Sequence, residues 1–500
     1  MNINQEIKKL CQYALSKGLI EEYDKDFAIN QILAILQLDD YKDEEISKES
    51  DSLEDILKNI LDWAVANHRI EDSIVYRDLL DTKIMGVFVD KPSIINHHFY
   101  ELYQNVGSNS ATNWFYQYCK DIDYIRDYRV KKDLFWKAES VYGDIDITIN
   151  LSKPEKDPKA IAALKNATQS AYPKCQLCKE NVGYQGRINH PARENLRIIP
   201  VNLDGDAFFF QYSPYSYYNE HCIVFNSKHV PMAINNKCFR HLLDFVSQFP
   251  NYMLGSNADL PIVGGSILTH DHYQGGNYTF PMFRAKENLQ FTFKGFGDVK
   301  ASSLYWPLSV IRLKSENKES LIELAYKILS CWRNYTDERC FIFANTENTP
   351  HNTITPICHK EGKEFVLDLT LRNNITTKEH PLGLYHPHEQ YWNIKKENIG
   401  LIEVMGRAVL PSRLKKELKA IEEAVLNGNN LSLNSETAKH KAWFESFKND
   451  YSFTRANTAS ILEKEVGKVF VKVLECAGVY KQTKNGMDGL IRFISYVNKN

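Results

Sequence analysis

Hydrophobic residues recur at intervals of three and four in the first part of the chain. Residues 6–15 and 53–64 both show this spacing, which is typical of helices that bury one face. At residues 142–150 the interval changes to two, because β-branched residues alternate there with acidic or polar ones, as in a half-buried strand. The pattern predicts a helical N-terminal region over residues 1–140, followed by a β-rich region.

Mixed strand and helix patterns continue after residue 140 and occur in two successive groups. The predicted strands lie at residues 207–215, 220–226, 304–313, 341–345 and 364–374, and the predicted helices at 239–245 and 321–329. We therefore expect an α+β protein with two tandem modules, at residues 141–280 and 281–411. Helical periodicity returns afterwards and predicts C-terminal helices over residues 412–500.

Composition and charge narrow the classes of function. The chain has 500 residues, 43% of them hydrophobic, and is long enough for about two to four folded domains. The formal net charge of −2 offers no basic surface for nucleic acid or an anionic membrane. The first residues lack the apolar segment of a signal peptide, and no apolar run reaches membrane-spanning length. We expect a cytoplasmic protein whose ten cysteines do not form a disulfide framework.

The most informative stretch is residues 264–276, which contains His270, His272 and Gln274. Residues two apart on a strand point to the same side, so these side chains would form one polar face. The preceding Gly-Gly-Ser turn could bind an anion, and the following Gly-Gly could let a ligand approach the backbone. A neutral imidazole is a competent nucleophile toward phosphorus, so the stretch suggests phosphoryl transfer. A metal-ligand pair or a plain polar face are the alternatives.

Cys175 and Cys178 form a Cys-x-x-Cys pair that could bind one tetrahedral cation. No second pair of this kind follows, so two further ligands would have to come from other segments. The histidines that follow in chain order are the candidates: His190, His221, His229, His270 and His272. A pair that binds nothing is the alternative.

Two basic loops are candidate phosphate contacts. Lys153 and Lys156 lie in a proline-containing loop at residues 151–158, which could equally be plain surface. Residues 186–200 are rich in arginine and asparagine and include Arg193. Forked donors of this kind suit phosphate or nucleoside hydroxyls, although a solvated charged loop explains them as well.

A second His-x-His-x-Gln pattern occurs at residues 386–390 and contains His386 and His388. It lacks the glycine-rich flanks of the first pattern. We interpret it as a structural or substrate-side loop.

Several of these segments together resemble a known family. The sequence at residues 144–158, 189–193, 218–225 and 270–274 is similar to the galactose-1-phosphate uridylyltransferase family of the histidine-triad superfamily, in particular its second bacterial branch. The resemblance covers nearly the whole chain and implies that the two modules are histidine-triad-like. In the better-known branch the triplet has Pro and Gly where this chain has Asp271 and Tyr273.

The resemblance implies a ping-pong reaction with UDP-glucose and galactose 1-phosphate as substrates. It implies that His272 is the nucleophile and that Gln274 holds the uridylyl phosphate. Asn257 and Ser266 fall near the phosphate contacts of the family. The family's structural zinc ligands match Cys175, Cys178, His229 and His270. Leu371 and Asn373 replace a histidine pair of the other branch, so no second metal is expected.

Two other functions stay open at this point. One is a histidine-triad hydrolase of nucleotide conjugates, in which water replaces the sugar phosphate as acceptor; Gln274 argues against it, because the hydrolytic branches usually carry a further histidine there. The other is a zinc-binding or nucleotide-binding protein without turnover. The sequence leaves open the sugar specificity, the metal and the oligomeric state, for which a homodimer is considered.

Overall fold

The computed structural model describes residues 2–46, 51–151, 170–265 and 267–500. Its first part is helical as far as Val130, whereas a strand at Leu134–Ala138 lies inside the region over residues 1–140 that the sequence predicts to be helical. The N-terminal helices are α1 (Ile3–Ser16), α2 (Lys25–Leu36), α3 (Leu53–Ala66), α4 (Ile74–Met85), α5 (Pro92–Asn105), α6 (Ser108–Asp121) and α7 (Asp127–Val130).

Helix α3 illustrates how the sequence specifies these elements. The side chain of Ser52 accepts a hydrogen bond from the backbone N–H of Asp55 at 3.2 Å and caps the helix N-terminus. Residues Ile56, Leu57, Ile60, Leu61 and Ala64 are all buried. The apolar stripe read from the sequence is therefore the face that packs into the core.

The strands follow from residue 134 onward. They are β1 (Leu134–Ala138), β2 (Ile145–Ile149), β3 (Ile199–Leu203), β4 (Asp206–Tyr212), β5 (Cys222–Asn226), β6 (Met253–Gly255), β7 (His272–Gly276), β8 (Glu287–Phe291), β9 (Lys300–Leu304), β10 (Val310–Ser315), β11 (Asn345–Thr346), β12 (Thr349–Pro350), β13 (Asn352–Glu361), β14 (Glu364–Asn373) and β15 (Arg407–Leu410). The later helices are α8 (Asn236–Gln248), α9 (Lys318–Arg333), α10 (Leu401–Val404), α11 (Arg413–Leu426), α12 (Ser435–Ala438), α13 (Lys441–Glu445), α14 (Thr458–Ala477) and α15 (Lys484–Lys499). The α+β class is confirmed.

Ten strands form one antiparallel sheet in the order β3-β4-β5-β7-β6-β13-β14-β10-β9-β8. Strands β3 to β7 make one half and strands β8, β9, β10, β13 and β14 the other. The halves join where β6 pairs with β13, with Leu254 opposite Cys358 and Gly255 opposite Ile357. Helices α8 and α9 pack against each other and against β13. Strand β7, which carries His272, therefore lies inside a continuous sheet.

A separate three-stranded sheet has the order β1-β2-β15, with β15 parallel to β2. The sequence predicts a half-buried strand here, but all five residues of β2 are buried. Asp146 is buried, and its carboxylate accepts a hydrogen bond from the hydroxyl of Tyr278 at 2.5 Å. Helix α14 packs against β1 and β2, so both faces of this strand are covered.

Two predicted strands differ from the observed ones. The strand predicted at residues 304–313 is divided, since β9 ends at Leu304 and β10 begins at Val310, with Pro307 between them. Of the strand predicted at residues 341–345, only the last residue is in a strand. Phe341 has a left-handed φ of 57° at the end of a 3-10 turn, which is incompatible with an extended strand.

Helices that could cross a membrane would need a long apolar stretch. None of the helices in the described ranges has one.

Candidate active site

Strand β7 positions the histidine stretch between β5 and β6. His272 pairs with Phe225 of β5, and Gln274 pairs with Ile223. The sequence predicts one strand carrying both His270 and His272, but the strand begins only at His272. His270 lies in the preceding turn. Its side chain therefore does not have to point to the same face as those of His272 and Gln274, and it contacts a different set of residues.

Tyr273 points to the opposite face of the sheet from its two neighbours. Its hydroxyl is 2.9 Å from Nδ1 of His241 on α8, and its ring stacks on Phe208. Burial of this ring fixes the register of β7, because a shift of one residue would exchange the two faces. His272 and Gln274 are consequently held on the other side.

The imidazole of His272 is 4% exposed. Its Nδ1 lies 2.7 Å from the carbonyl oxygen of His270 and donates a hydrogen bond to it. Burial lowers the pKa of His272 to about 4. The ring is therefore neutral near pH 7, and its lone pair is on Nε2.

Cys175, Cys178, His229 and His270 form a compact group whose ligand atoms all lie within 4.8 Å of one another. The Sγ atoms are 3.6 Å apart, and Nδ1 of His270 is 3.2 Å from Sγ of Cys175. Nδ1 of His229 is 3.2 Å from Sγ of Cys178. These separations fit two thiolates and two imidazoles around one tetrahedral ion with bonds of about 2.0–2.3 Å. The residues present therefore suit zinc.

Further hydrogen bonds orient these ligands. Nε2 of His270 donates to the carbonyl oxygen of Asn226 at 2.8 Å, which leaves Nδ1 free to bind a metal. The side-chain amide of Asn181 donates to the carbonyl oxygens of Cys175 and Cys178 at 2.9 and 2.7 Å. The Oδ1 atom of Asn181 is 2.6 Å from Nε2 of His190. Asn181 thus links the cysteine turn to the loop that contains His190.

A cavity of about 810 Å³ opens at His272 and Gln274. Three structural units line it: the sheet face, the cysteine turn with the arginine-rich loop, and the N-terminal helices. Representative lining residues are His221, His272, Gln274, Cys175, Arg187, His190, Arg193, Asp78, Tyr124, Arg126 and Arg129. The cavity therefore unites segments from residue 74 to residue 274.

The arginine-rich loop lies at the cavity as the sequence suggests. Arg193 and Arg187 both line it, and Nε of Arg187 donates to Oδ1 of Asn189 at 2.7 Å. His190, a candidate metal ligand from the sequence, lines the cavity and bonds Asn181 instead. Burial, together with the nearby charges of Arg187 and Arg193, lowers the pKa of His190 to about 4.

The other predicted substrate contacts are less central. Lys153, Lys156 and Ser266 lie outside the described residues. Asn257 is buried, and its Oδ1 accepts a hydrogen bond from the backbone N–H of Leu401 at 3.0 Å, at the start of α10. Asn257 is not among the residues that line the cavity, so its predicted phosphate contact stays a prediction.

The glycines around the histidines serve packing in this structure. A Cβ atom on Gly275 would lie 2.5 Å from the carbonyl oxygen of Met253, and one on Gly276 would lie 2.7 Å from the ring of Tyr218. A Cβ atom on Gly264 would lie 2.7 Å from the carbonyl oxygen of Ile399. The sequence suggests ligand approach at Gly275 and Gly276, but neighbouring protein atoms occupy that space.

The helical wall of the cavity was not found from the sequence. Arg126 bonds Asp78 and also Asp81, the latter at 2.6 Å, while Arg129 bonds Asp78 at 2.8 Å. The partners are 45 to 51 residues apart in the chain, so no local spacing marks them. The hydroxyl of Tyr124 is buried and has no hydrogen-bond partner among the described residues.

Comparison with known proteins identifies the family. The model of the N-terminal domain of galactose-1-phosphate uridyl transferase matches residues 18–231, and the model of its C-terminal domain matches residues 245–445. The chain belongs to the galactose-1-phosphate uridylyltransferase family. The resemblance read from the sequence is confirmed.

Similar curated proteins of this family span the whole chain. The galactose-1-phosphate uridylyltransferases of Halalkalibacterium halodurans, Clostridium acetobutylicum and Bacillus subtilis are 49%, 48% and 46% identical to it. Each alignment covers 99% of this chain and 98% or 99% of the relative. The family assignment therefore does not rest on the histidine stretch alone.

In this family member the candidate metal group joins both matched segments. Cys175, Cys178 and His229 lie in the N-terminal match, whereas His270 lies in the C-terminal match together with His272. A single site is therefore assembled from both.

The second His-x-His-x-Gln pattern is not among the residues that line the cavity. Nε2 of His386 is 3.0 Å from Oδ1 of Asn398, and Nε2 of His388 is 3.1 Å from the carbonyl oxygen of Leu384. The ring of His388 stacks on His380 at 4.2 Å. Both histidines are engaged in local contacts, in line with the interpretation as a structural loop.

Proposed function

We propose that this chain transfers the uridylyl group of UDP-glucose to galactose 1-phosphate through a covalent uridylyl intermediate on His272. The products are glucose 1-phosphate and UDP-galactose. Family membership supports the reaction. The single observation that carries the residue assignment is the hydrogen bond from Nδ1 of His272 to the carbonyl oxygen of His270, because it directs the reactive lone pair to Nε2 in the cavity lining.

In the first half-reaction, Nε2 of His272 attacks the uridine-linked phosphorus of UDP-glucose. The N–P bond forms as the P–O bond to the second phosphate breaks, and the electron pair leaves with glucose 1-phosphate. The His270 carbonyl oxygen stabilises the positive charge that develops on the imidazole, since it accepts a hydrogen bond from the Nδ1–H group. In the second half-reaction a phosphate oxygen of galactose 1-phosphate attacks the same phosphorus and displaces His272.

The carboxamide of Gln274 would donate a hydrogen bond to a non-bridging phosphate oxygen in both steps. Arg193 lines the same cavity and is a donor for phosphate or ribose. We include Lys153 and Lys156 as further proposed substrate contacts because they lie in a basic loop, and Asn257 and Ser266 on the family resemblance.

We further propose zinc as the metal of the Cys/His group. Cys175, Cys178, His229 and His270 would hold it, and a bound ion would clamp three separated segments without taking part in the chemistry. The sheet supports the proposed division near residue 280, because strands β3 to β7 form one half of it and strands β8, β9, β10, β13 and β14 form the other.

The decisive experiment supplies UDP-glucose with and without galactose 1-phosphate and follows both nucleotide products. Parallel initial-rate lines are expected when one substrate is varied at several fixed levels of the other, since the first product leaves before the second substrate binds. Intersecting lines would refute the covalent mechanism. Steady release of UMP without any sugar phosphate would favour the hydrolase alternative.

A further inference from the structure

His221 is a buried histidine that lines the cavity. The family resemblance gives it no role, and it does not belong to the Cys/His metal group. It immediately precedes β5 and is 2% exposed. Its Nε2 lies 3.2 Å from Oε1 of Gln274. Ile223, two residues further along, pairs with Gln274 across the sheet. The pairing of β5 with β7 therefore keeps the side chains of His221 and Gln274 close to each other.

The surroundings determine which nitrogen of His221 carries the proton. Burial lowers its pKa to about 4, so the neutral ring has one N–H group near pH 7. The Oε1 atom of Gln274 can only accept a hydrogen bond, so Nε2 of His221 carries the proton and donates that hydrogen bond. Nδ1 has no hydrogen-bond partner among the described residues. The ring packs against Tyr217 at 5.3 Å and Tyr218 at 4.6 Å, which restricts its rotation.

Orientation of the Gln274 carboxamide decides whether it helps or opposes the reaction. With its oxygen on His221, its NH₂ group faces the cavity and can donate to phosphate. A rotation of 180° would place the oxygen against the anionic phosphate and the NH₂ group against the Nε2–H of His221. Such a pairing sets donor against donor, and moving the His221 proton to Nδ1 would leave that N–H group without a partner among the described residues, so the rotated carboxamide is disfavoured.

We propose that His221 is a positioning residue that holds the Gln274 carboxamide with its NH₂ group toward the transferred phosphate. The inference rests on the proposed function. It predicts that His221 acts on the reaction only through Gln274.

A double-mutant experiment isolates that dependence. His221→Phe keeps an aromatic ring against the two tyrosines but removes the donor. The rate of uridylyl adduct formation is measured by quenched-flow intact mass at saturating UDP-glucose, in the wild-type and Gln274→Ala backgrounds. Zinc content and melting temperature are recorded for every variant.

We expect His221→Phe to lower the maximal adduct rate by at least about tenfold in the wild-type background. It should change the rate less than about twofold in the Gln274→Ala background, because the group it orients is absent. His221→Gln retains a donor and should form adduct faster than His221→Phe. If His221→Phe does not fold, His221→Leu and His221→Gln are compared in the same two backgrounds.

Three results would overturn the inference. They are an unchanged adduct rate in His221→Phe, an equal proportional decrease in that rate in both backgrounds, or equal adduct rates for His221→Gln and His221→Phe. Each contradicts action through the carboxamide. A wild-type protein that forms no adduct with UDP-glucose would instead overturn the proposed function, and the inference with it.

Discussion

Nδ1 of His272 and the main-chain oxygen of His270 are joined by a 2.7 Å hydrogen bond, and the side chain of His270 belongs to the Cys/His metal group. One residue therefore contacts the candidate metal site with its ring and the candidate nucleophile with its backbone. Any change that moves His270 is therefore expected to shift the imidazole of His272, and with it the position of Nε2.

The two His-x-His-x-Gln patterns are predicted to behave differently. His272→Ala should abolish the covalent uridylyl adduct detected by intact mass after mixing with UDP-glucose, and turnover should disappear with it. His388 is not among the residues that line the cavity, so His388→Ala should retain the adduct and alter stability or substrate affinity at most. The opposite pattern in folded variants would transfer the active site to the second half of the chain.

Loss of one metal ligand is predicted to affect structure and rate together. Cys178→Ser should lower the zinc content, measured by elemental analysis, from about one equivalent and should lower the melting temperature. Adduct formation should also slow, because His270 would no longer be anchored. Cys331→Ser on α9, which lies outside the metal group, serves as the matched control. Unchanged zinc in Cys178→Ser would refute the ligand assignment.

Glu194 is predicted to make stability depend on pH. Neither carboxylate oxygen has a hydrogen-bond partner among the described residues, and burial raises the pKa of this group to about 7 from 4.5. The folded state therefore favours the protonated form, and that stabilisation is present below pH 4.5 and lost as pH rises through 7.

The variant Glu194→Gln should remove this loss, so its melting temperature should rise relative to the wild type between pH 5 and pH 8. Differential scanning calorimetry across that range measures the gap, which is the difference in melting temperature between the variant and the wild type. Glu101→Gln, which changes an exposed carboxylate on α5, should show a constant gap. A constant gap for Glu194→Gln as well would contradict the prediction.

A buried ion pair in the second half of the sheet should be sensitive to removal of one partner. Arg312 donates to both carboxylate oxygens of Asp368 at 2.7 Å, and the two side chains are 3% and 0% exposed. Asp368→Asn leaves the guanidinium uncompensated and should destabilise the fold by about 3–5 kcal/mol in urea titrations.

The control for this pair is Glu364→Gln, which breaks the exposed ion pair with Lys300 on the same sheet. It should change stability very little, because water and salt screen such pairs. Equal effects of the two variants would contradict the argument from burial.

Local patterns were readable from the sequence, whereas contacts between distant segments were not. The stripe at residues 53–64 is intrinsic to one helix, and the spacing of His272 and Gln274 is intrinsic to one strand. Nothing local to Arg126 indicates that it bonds Asp78 and Asp81, which lie 48 and 45 residues earlier, because the fold creates those contacts.

The polar residues of β2 show the same limit. Asp146 and Thr148 alternate with isoleucine and suggest a solvated face, yet both are buried. Their burial depends on Tyr278 and on α14, which follow more than a hundred residues later. Single-strand periodicity contains no information about such a covering element.

The Cys/His group takes ligands from both family segments, so neither segment contains the whole group when it is produced alone. A polypeptide ending at residue 231 would keep Cys175, Cys178 and His229 but lose strand β7, while one starting at residue 245 would keep His270 and His272 without the thiols. Strands β5 and β7, which are adjacent in the sheet, would also be separated. Two separately produced fragments would therefore have to re-form the pairing of β5 with β7 before the Cys/His group and the cavity could be complete.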